Sequence, residues 1–344
     1  MAYTTINKST DYFNTKLYTG TGANLAVTGV GHQPDFTWVK RRDVVSGHKL
    51  TDAVRGAGYV ISTVGPDAQF AQTGISSFDT DGFTVGTASA DFNTSGGTYT
   101  SWNWKAGTTS GLSGGTITPS SYTFNTTSGF SILKYTGTGS NATIPHGLGA
   151  APKMIIEKQI DSGSNEWGVY HASQGAGKYC KLDTTEAFSS ATSVWQGVEP
   201  TSSVFSVGTS SLANANGGTH IAYCFAEKIG YSKFGSYKGN GNADGTFIYT
   251  GFKPAFILIK TTDLAGNNWQ IYDNKREGYN SSNDLFRANG TDAEGNGTDP
   301  IDIYSNGFKM RNTAGSANQN NGTYIYMALG QSLVGSNNVP CTAR

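Results

Sequence analysis

The chain has 344 residues, of which 24 are basic and 24 acidic, so its formal net charge is zero; charged residues make up 14% and glycine fills 46 positions. An average soluble chain carries about 25% charged residues, and nucleic-acid binders show a basic face, so this balance argues against nucleic acid as a partner. No apolar run is long enough to cross a bilayer as a helix, which argues against membrane insertion. The first residues, MAYTTINKSTDYF, lack the basic-then-apolar order of a secretory signal.

In chain order, the first recognisable element is a strand ending in KLYTGTG, residues 16–22. The phrase returns as KYTGTG at 134–139 and as SYKGNG at 236–241. Each copy is followed by a second strand that reads proline, apolar residues, lysine, aspartate. These are QPDFTWVKRRD (33–43), APKMIIEKQID (151–161) and KPAFILIKTTD (253–263). Pro34, Pro152 and Pro254 keep step with Lys40, Lys158, Lys260 and with Asp43, Asp161, Asp263. Three landmarks held in register mark an internal repeat. The recurring aspartates follow a strand and are expected to end it or make a turn.

Next come EWGVYHASQG and NWQIYDNKREG, with HKLTDAVRG as the first-unit counterpart. At most a short helical turn is expected around GHKLTDAVRG and DNKREGYNSSNDLF. SFDTDGFTVG (77–86) and YSNGFKM (304–310) read as hairpins, because Asp-Gly and Asn-Gly supply positive φ. A closing strand completes each unit, beginning GGTYTSWNWKAG, GGTHIAYCFAEK and NGTYIYMALGQS. Its period-2 pattern places Thr100, Trp102 and Trp104 on one face, with Ile221, Tyr223, Phe225 and Ile325, Met327, Leu329 as equivalents. This larger apolar face is expected to line each unit's own core. The other face, with Tyr99, His220 and Tyr324, is left for cover by a neighbouring unit.

Short strands with frequent turn signals predict an all-β chain of three tandem β-sandwich repeats, jelly-roll or lectin-like, of about 100 residues each. The units are assigned to residues 1–112, 113–232 and 233–344. Residues 105–121, rich in Gly, Ser and Thr, have the composition of a flexible linker. The second join, EKIGYSKFGS, is short, so units two and three are expected to pack together more rigidly than one and two.

The residues that could carry chemistry are few. None of the five histidines lies in a zinc-binding spacing, and His146 in IPHGLG reads as a hydrogen-bonded loop histidine. Cys180, Cys224 and Cys341 form no CxxC pair and are expected to be free thiols made in a reducing cytosol. No nucleophile elbow or phosphate loop occurs, and no catalytic residue is assigned. Asp292, Glu294, Asn296 and Asp299 offer oxygen ligands at close spacing. Calcium is therefore the one cofactor considered, against the alternative of a solvated loop. Trp195, Tyr279 and Tyr59 fall in polar segments, where an aromatic either stacks on a sugar or packs over a sandwich edge.

The phrases LYTGTG, SFDTDGFTVG, YTSWNWKAG, HGLGAAPKMII and above all AYCFAEKIGYSKFGSYKGNGNADGTFIYTGFKPAFILIK resemble a family of marine and cyanobacterial phage proteins. That family is described as tail-fibre-like or virion structural, with tandem lectin-like β-sandwich repeats. The resemblance implies synthesis in a host cytoplasm and a place in the virion, on the tail or outer surface. It implies other virion proteins and further copies of the chain, as a homotrimer, for partners. Attachment to a bacterial surface glycan is the leading function. A non-catalytic capsid or tail decoration protein is the alternative, and a polysaccharide depolymerase stands behind both. Binding residues are expected where the three copies differ.

Overall fold

A computed structural model describes residues 4–87, 89–276, 280, 284–295, 300–332 and 334. The chain is all-β, and the described residues form six antiparallel sheets, three large and three small. The first large sheet runs Phe13–Thr19, Thr98–Trp104, Phe36–Arg41, Lys49–Asp52, Tyr59–Ser62, Phe70–Ala71 in spatial order. In the second, Phe130–Thr136, Thr219–Ala226, Pro152–Gln159, Gly168–His171, Lys178–Lys181 and Ser189–Ser190 repeat that order, with Ser121–Asn125 added at one edge. The third runs Ser232–Lys238, Thr323–Ser332, Phe252–Thr261, Gln270–Asp273, Phe286–Arg287. Each large sheet carries a small one. These are Leu25–Thr28 with Gly82–Val85 and Ile75–Asp79, then Ala142–Pro145 with Val204–Val207, then Phe247–Tyr249 with Gly307–Met310 and Ile301–Tyr304. The Asp-Gly and Asn-Gly segments make the expected hairpins. Of the segments expected to hold at most a short helical turn, GHKLTDAVRG forms the strand Lys49–Asp52 and a turn after it; in DNKREGYNSSNDLF, Asp273 ends one strand and Phe286 begins another, and residues 277–279 and 281–283 lie outside the described residues. Among the described residues the α-helical turns are Thr192–Trp195 and Ser211–Asn214.

The closing strand lies inside each large sheet, between the unit's first strand and its second, and its two faces are used the opposite way from the sequence expectation. Trp102, Trp104, Ile221, Tyr223, Phe225, Ile325, Met327 and Leu329 meet in one common core between the three large sheets. The other face packs inside its own sandwich. Tyr99 lies with Val27 and Phe83, Ala222 and Cys224 with Ile144 and Phe205, Tyr324 and Ala328 with Ile248 and Phe308. Alternation separates two faces but does not say what covers each. The larger side chains go where three sheets converge and the space is widest. They fill it: a void of about 10 Å³ remains among Trp38, Trp104, Tyr223, Phe256 and Met327, the lower limit for one water.

Three seams close this arrangement into a ring. The backbone N–H of Gln69 donates to Ile160 O at 2.9 Å, that of Phe188 to Thr262 O at 3.0 Å, and that of Glu294 to Arg42 O at 2.8 Å. Arg42, Ile160 and Thr262 each stand just before the recurring aspartate. Trp167 Nε1 donates across the first seam to Ser62 O, and Trp269 Nε1 across the second to Lys181 O, both at 2.9 Å. His48 takes the same place at the third, facing the Arg287 backbone. A second set of contacts runs the same way round. Tyr223 Oη donates to Asp52 Oδ2 at 2.7 Å, Trp102 Nε1 to Asp273 Oδ2 at 3.0 Å, and His171 Nε2 contacts Tyr326 O at 3.2 Å. Head-to-tail contacts that close after three steps make a finite ring.

The Gly/Ser/Thr segment expected to be a flexible linker is stitched to the second sandwich. Thr108 exchanges backbone bonds with Phe124, and the N–H groups of Thr116 and Ile117 both reach Thr143 O. The repeated Tyr-x-Gly-x-Gly phrase forms a knot at the end of each first strand. Tyr18, Tyr135 and Tyr237 stack on Tyr99, His220 and Tyr324, with ring centres 5.0, 5.2 and 5.0 Å apart. Their hydroxyls donate to the carbonyls of Phe92, Ala213 and Ala317. The next residues, Asn93, Asn214 and Asn318, accept the backbone N–H of Thr21, Thr138 and Asn240. A Cβ at Gly137 would stand 2.3 Å from Ala215 O, so the knot closes only on glycine.

Candidate functional site

The structure separates the predicted residues. Tyr59 begins the strand Tyr59–Ser62 and is 45% exposed. Trp195, expected at the surface, is buried in the core of the second sandwich, its ring 6.2 Å from Tyr170 and nearly perpendicular to it. Its segment is polar in sequence, but the turn Thr192–Trp195 carries Val194 and Trp195 inward together. It therefore offers no ring to a sugar. Tyr279 lies outside the described residues.

Of the acidic loop, Asn296 and Asp299 also lie outside the described residues. Asp292 pairs with Arg287 at 2.7 Å. Glu294 is held between Arg42 at 2.6 Å and Arg276 at 3.0 Å, tying the third sandwich to the first. These carboxylates are matched by guanidinium groups, and a cation would have to displace them. Among the described residues no group of three His, Cys, Asp or Glu side chains is placed to hold a metal.

The recurring charged residues serve the ring. Asp43, Asp161 and Asp263 accept the backbone N–H of Thr98, Thr219 and Thr323, so each anchors the start of the closing strand. Lys40, Lys158 and Lys260 are buried. Lys158 Nζ donates to the carbonyls of Pro66, Gln159 and Asn165, all at 2.8 Å, crossing the first seam. Lys40 stands 5.0 Å over the Phe286 ring, at the third seam. Burial pushes Lys40 and Lys260 down to about 8. Glu157 and His220 form a fully buried pair, and burial raises the Glu157 carboxyl. His146 is the hydrogen-bonded loop residue expected, accepting the Leu148 N–H and contacting Thr201 O. Cys180 and Cys224 are buried free thiols, and burial pushes Cys180 up to about 11; Cys341 lies outside the described residues.

The open concavity nearest a predicted residue is a groove of about 530 Å³ at the edge of the first sandwich. Asn24, Gln72, Thr73, Ser76 and Thr87 line it, over a floor that includes Gly58 and Ala71. Tyr59 follows Gly58 in the chain and pairs with Ala71 across the sheet, so it stands at the margin. Gln72 Nε2 donates to Ser89 Oγ at 3.0 Å and Asp91 Oδ2 at 3.2 Å, while its Oε1 is buried without a partner. Uncharged hydrogen-bonding side chains beside an exposed aromatic suit a ligand with many hydroxyls and no charge. The sequence singled out Tyr59 but not the groove, whose small and polar residues have no local signature.

A family model described as Domain of unknown function (DUF7483) matches residues 8–332. The chain belongs to this family. The matched span takes in all six sheets of the described residues. No curated protein and no solved structure matches the chain.

Proposed function

We propose that this chain is a non-catalytic attachment protein of a bacteriophage particle, holding a bacterial surface glycan. The observation that carries the binding reading is the groove beside Tyr59, with its uncharged polar lining. The placement in a particle rests on the resemblance of the repeated phrases to phage virion proteins. The ring geometry supports a role as a rigid carrier, because each sandwich is braced by two others. Other particle proteins and further copies of the chain would engage the outer surfaces, since the sheet faces that meet at the seams are already used.

The test has two parts. Antibody-gold labelling of intact particles should place the protein at the tail or fibre ends. Purified protein carrying Tyr59→Ala with Gln72→Ala should lose adsorption to host cells that the parent protein shows. Gold spread evenly over the head, with equal adsorption by both proteins, would make this a decoration protein and end the attachment reading.

A further inference from the structure

The small sheet of the third sandwich differs from its two counterparts on one face. Register fixes which residues point outward. Phe247 pairs with Lys309 and Lys309 with Asp302; Tyr249 pairs with Gly307 and Gly307 with Tyr304. The alternate residues Ile248, Phe308, Met310, Ile301 and Ile303 fill the core. The outward row therefore presents Phe247, 44% exposed, and Tyr249, 55% exposed. The Tyr304 ring meets Phe247 edge to face at 5.8 Å. Gly307 leaves the floor bare. A Cβ there would stand 2.2 Å from Ile248 O and 2.9 Å from Phe247 Cζ, so the Phe247 ring tip lies where a side chain would otherwise be.

A polar rim borders the rings. Arg311 Nε donates to Asp302 Oδ2 at 2.5 Å, its Nη1 to Asp244 Oδ1 at 3.0 Å and its Nη2 to Tyr304 Oη at 3.1 Å. Tyr304 Oη donates in turn to Asp302 Oδ2 at 3.1 Å, and Lys309 Nζ lies 2.6 Å from Asp244. The rim's two acids, Asp244 and Asp302, and its two bases, Lys309 and Arg311, balance. Lys233 Nζ, 5.4 Å over the Tyr249 ring, adds one positive charge to the face.

The other sandwiches are an internal control. At the positions of Phe247 and Tyr249, the first small sheet has Ala26 and Thr28, and the second has Thr143 and Pro145. The fold is built twice without aromatics on this face, so folding does not require them. Large rings kept in water beside oriented donors and acceptors match the two surfaces of a pyranose, its apolar C–H face and its hydroxyl edge. A face with one net positive charge lacks the basic cluster that a polyanion or an acidic peptide needs.

We propose that the outer face of the third sandwich, with Phe247, Tyr249 and Tyr304 beside the Arg311–Asp302 pair, is a binding site for uncharged sugar rings of a polysaccharide. It shares its ligand class with the attachment reading but lies on a different sandwich from the Tyr59 groove. The rings supply stacking area, and Arg311, Asp302 and Tyr304, already held by one another, supply hydrogen bonds without further ordering.

The experiment uses the full chain and three neutral probes: maltoheptaose, cellohexaose and N-acetylchitotetraose. Binding is read by calorimetry and by saturation-transfer NMR. The variant is Phe247→Thr with Tyr249→Thr, residues the sibling sheets tolerate, with Tyr59→Ala as comparator. The expected result is binding of at least one probe, weakened about tenfold or more in the double variant, equivalent to about 1.4 kcal/mol, and unchanged in Tyr59→Ala. Binding lost only in Tyr59→Ala would overturn this inference and leave the attachment reading standing. No binding of any probe at millimolar concentration would also overturn it, while host-cell adsorption still decides the attachment reading. Self-association of the parent protein that disappears in the double variant would assign the face to a second copy of the chain and overturn the sugar site.

Discussion

The seam between the first and second sandwiches yields a sharp prediction at Asp52. Its carboxylate is fully buried and accepts four hydrogen bonds. Oδ1 takes the backbone N–H of Val54 at 3.0 Å and of Arg55 at 2.8 Å. Oδ2 takes Arg55 Nε at 2.6 Å and, from the neighbouring sandwich, Tyr223 Oη at 2.7 Å. Tyr223→Phe removes one bond to a charged acceptor and should cost about 1.5–3 kcal/mol. Asp52→Ala leaves the Arg55 guanidinium, 1% exposed, without a counter-charge. Breaking a buried pair in this way costs about 3–5 kcal/mol. Arg55 keeps the Leu50 carbonyl at 2.9 Å, which places the loss toward the lower end of that range. Urea unfolding followed by tryptophan fluorescence would read both losses, with the double variant completing a cycle. The expected coupling between Asp52 and Tyr223 is about 1.5 kcal/mol or more, within the range for directly bonded side chains. Zero coupling would refute the claim that this contact holds the seam.

Asn214→Ala should cost about 3 kcal/mol in the same assay, because it strands the buried Gly208 carbonyl and the Thr138 N–H; a loss under about 1 kcal/mol would show that water replaces the amide. Lys260 has its pKa lowered to about 8 by burial, below its unfolded value. Between pH 8 and about 10.4 the unfolded chain holds a proton that the folded one has released, so stability should rise with pH there, by at most about 3 kcal/mol for this group. Lys260→Met should remove that rise, and parallel pH profiles for the two proteins would contradict it. Added calcium at millimolar concentration should leave the melting temperature within about 1 °C, since a ligand stabilises only by binding the folded state and Asp292 and Glu294 are already paired with arginines. A rise of several degrees would restore the acidic loop as a metal site.

The fold class was legible because two simple signals agree, alternation within strands and glycine or asparagine at turns. The placement of faces was not. Trp102 and Tyr99 lie on opposite faces of one strand, and nothing local tells which of them meets its own small sheet and which meets two other large ones. Trp195 misled for a related reason, since its polar neighbours describe the loop and not the direction of the ring. The seams and knots were more readable than they were read. Asn93, Asn214 and Asn318 stand at the same distance ahead of Thr98, Thr219 and Thr323. Asp52 and Arg55 are matched by Asp273 and Arg276. Their recurrence is visible in the sequence, but their chemistry becomes evident only when partners distant in the chain are brought together. Of the binding surface, Tyr59 carried a signal and the groove did not. The Phe247 and Tyr249 face could have been found by asking where three related strands disagree.

The closed ring has a mechanical consequence. Three sandwiches joined in a line would carry a pull through one joint at a time, and the weakest joint would set the limit. Here the first and third sandwiches are bonded directly through Arg42 and Glu294, and also through the second by way of Ile160 and Thr262. A load applied to one sandwich and resisted by another divides between two routes. In a closed ring of three, each joint is backed by the other two in series, so no single joint carries the whole load.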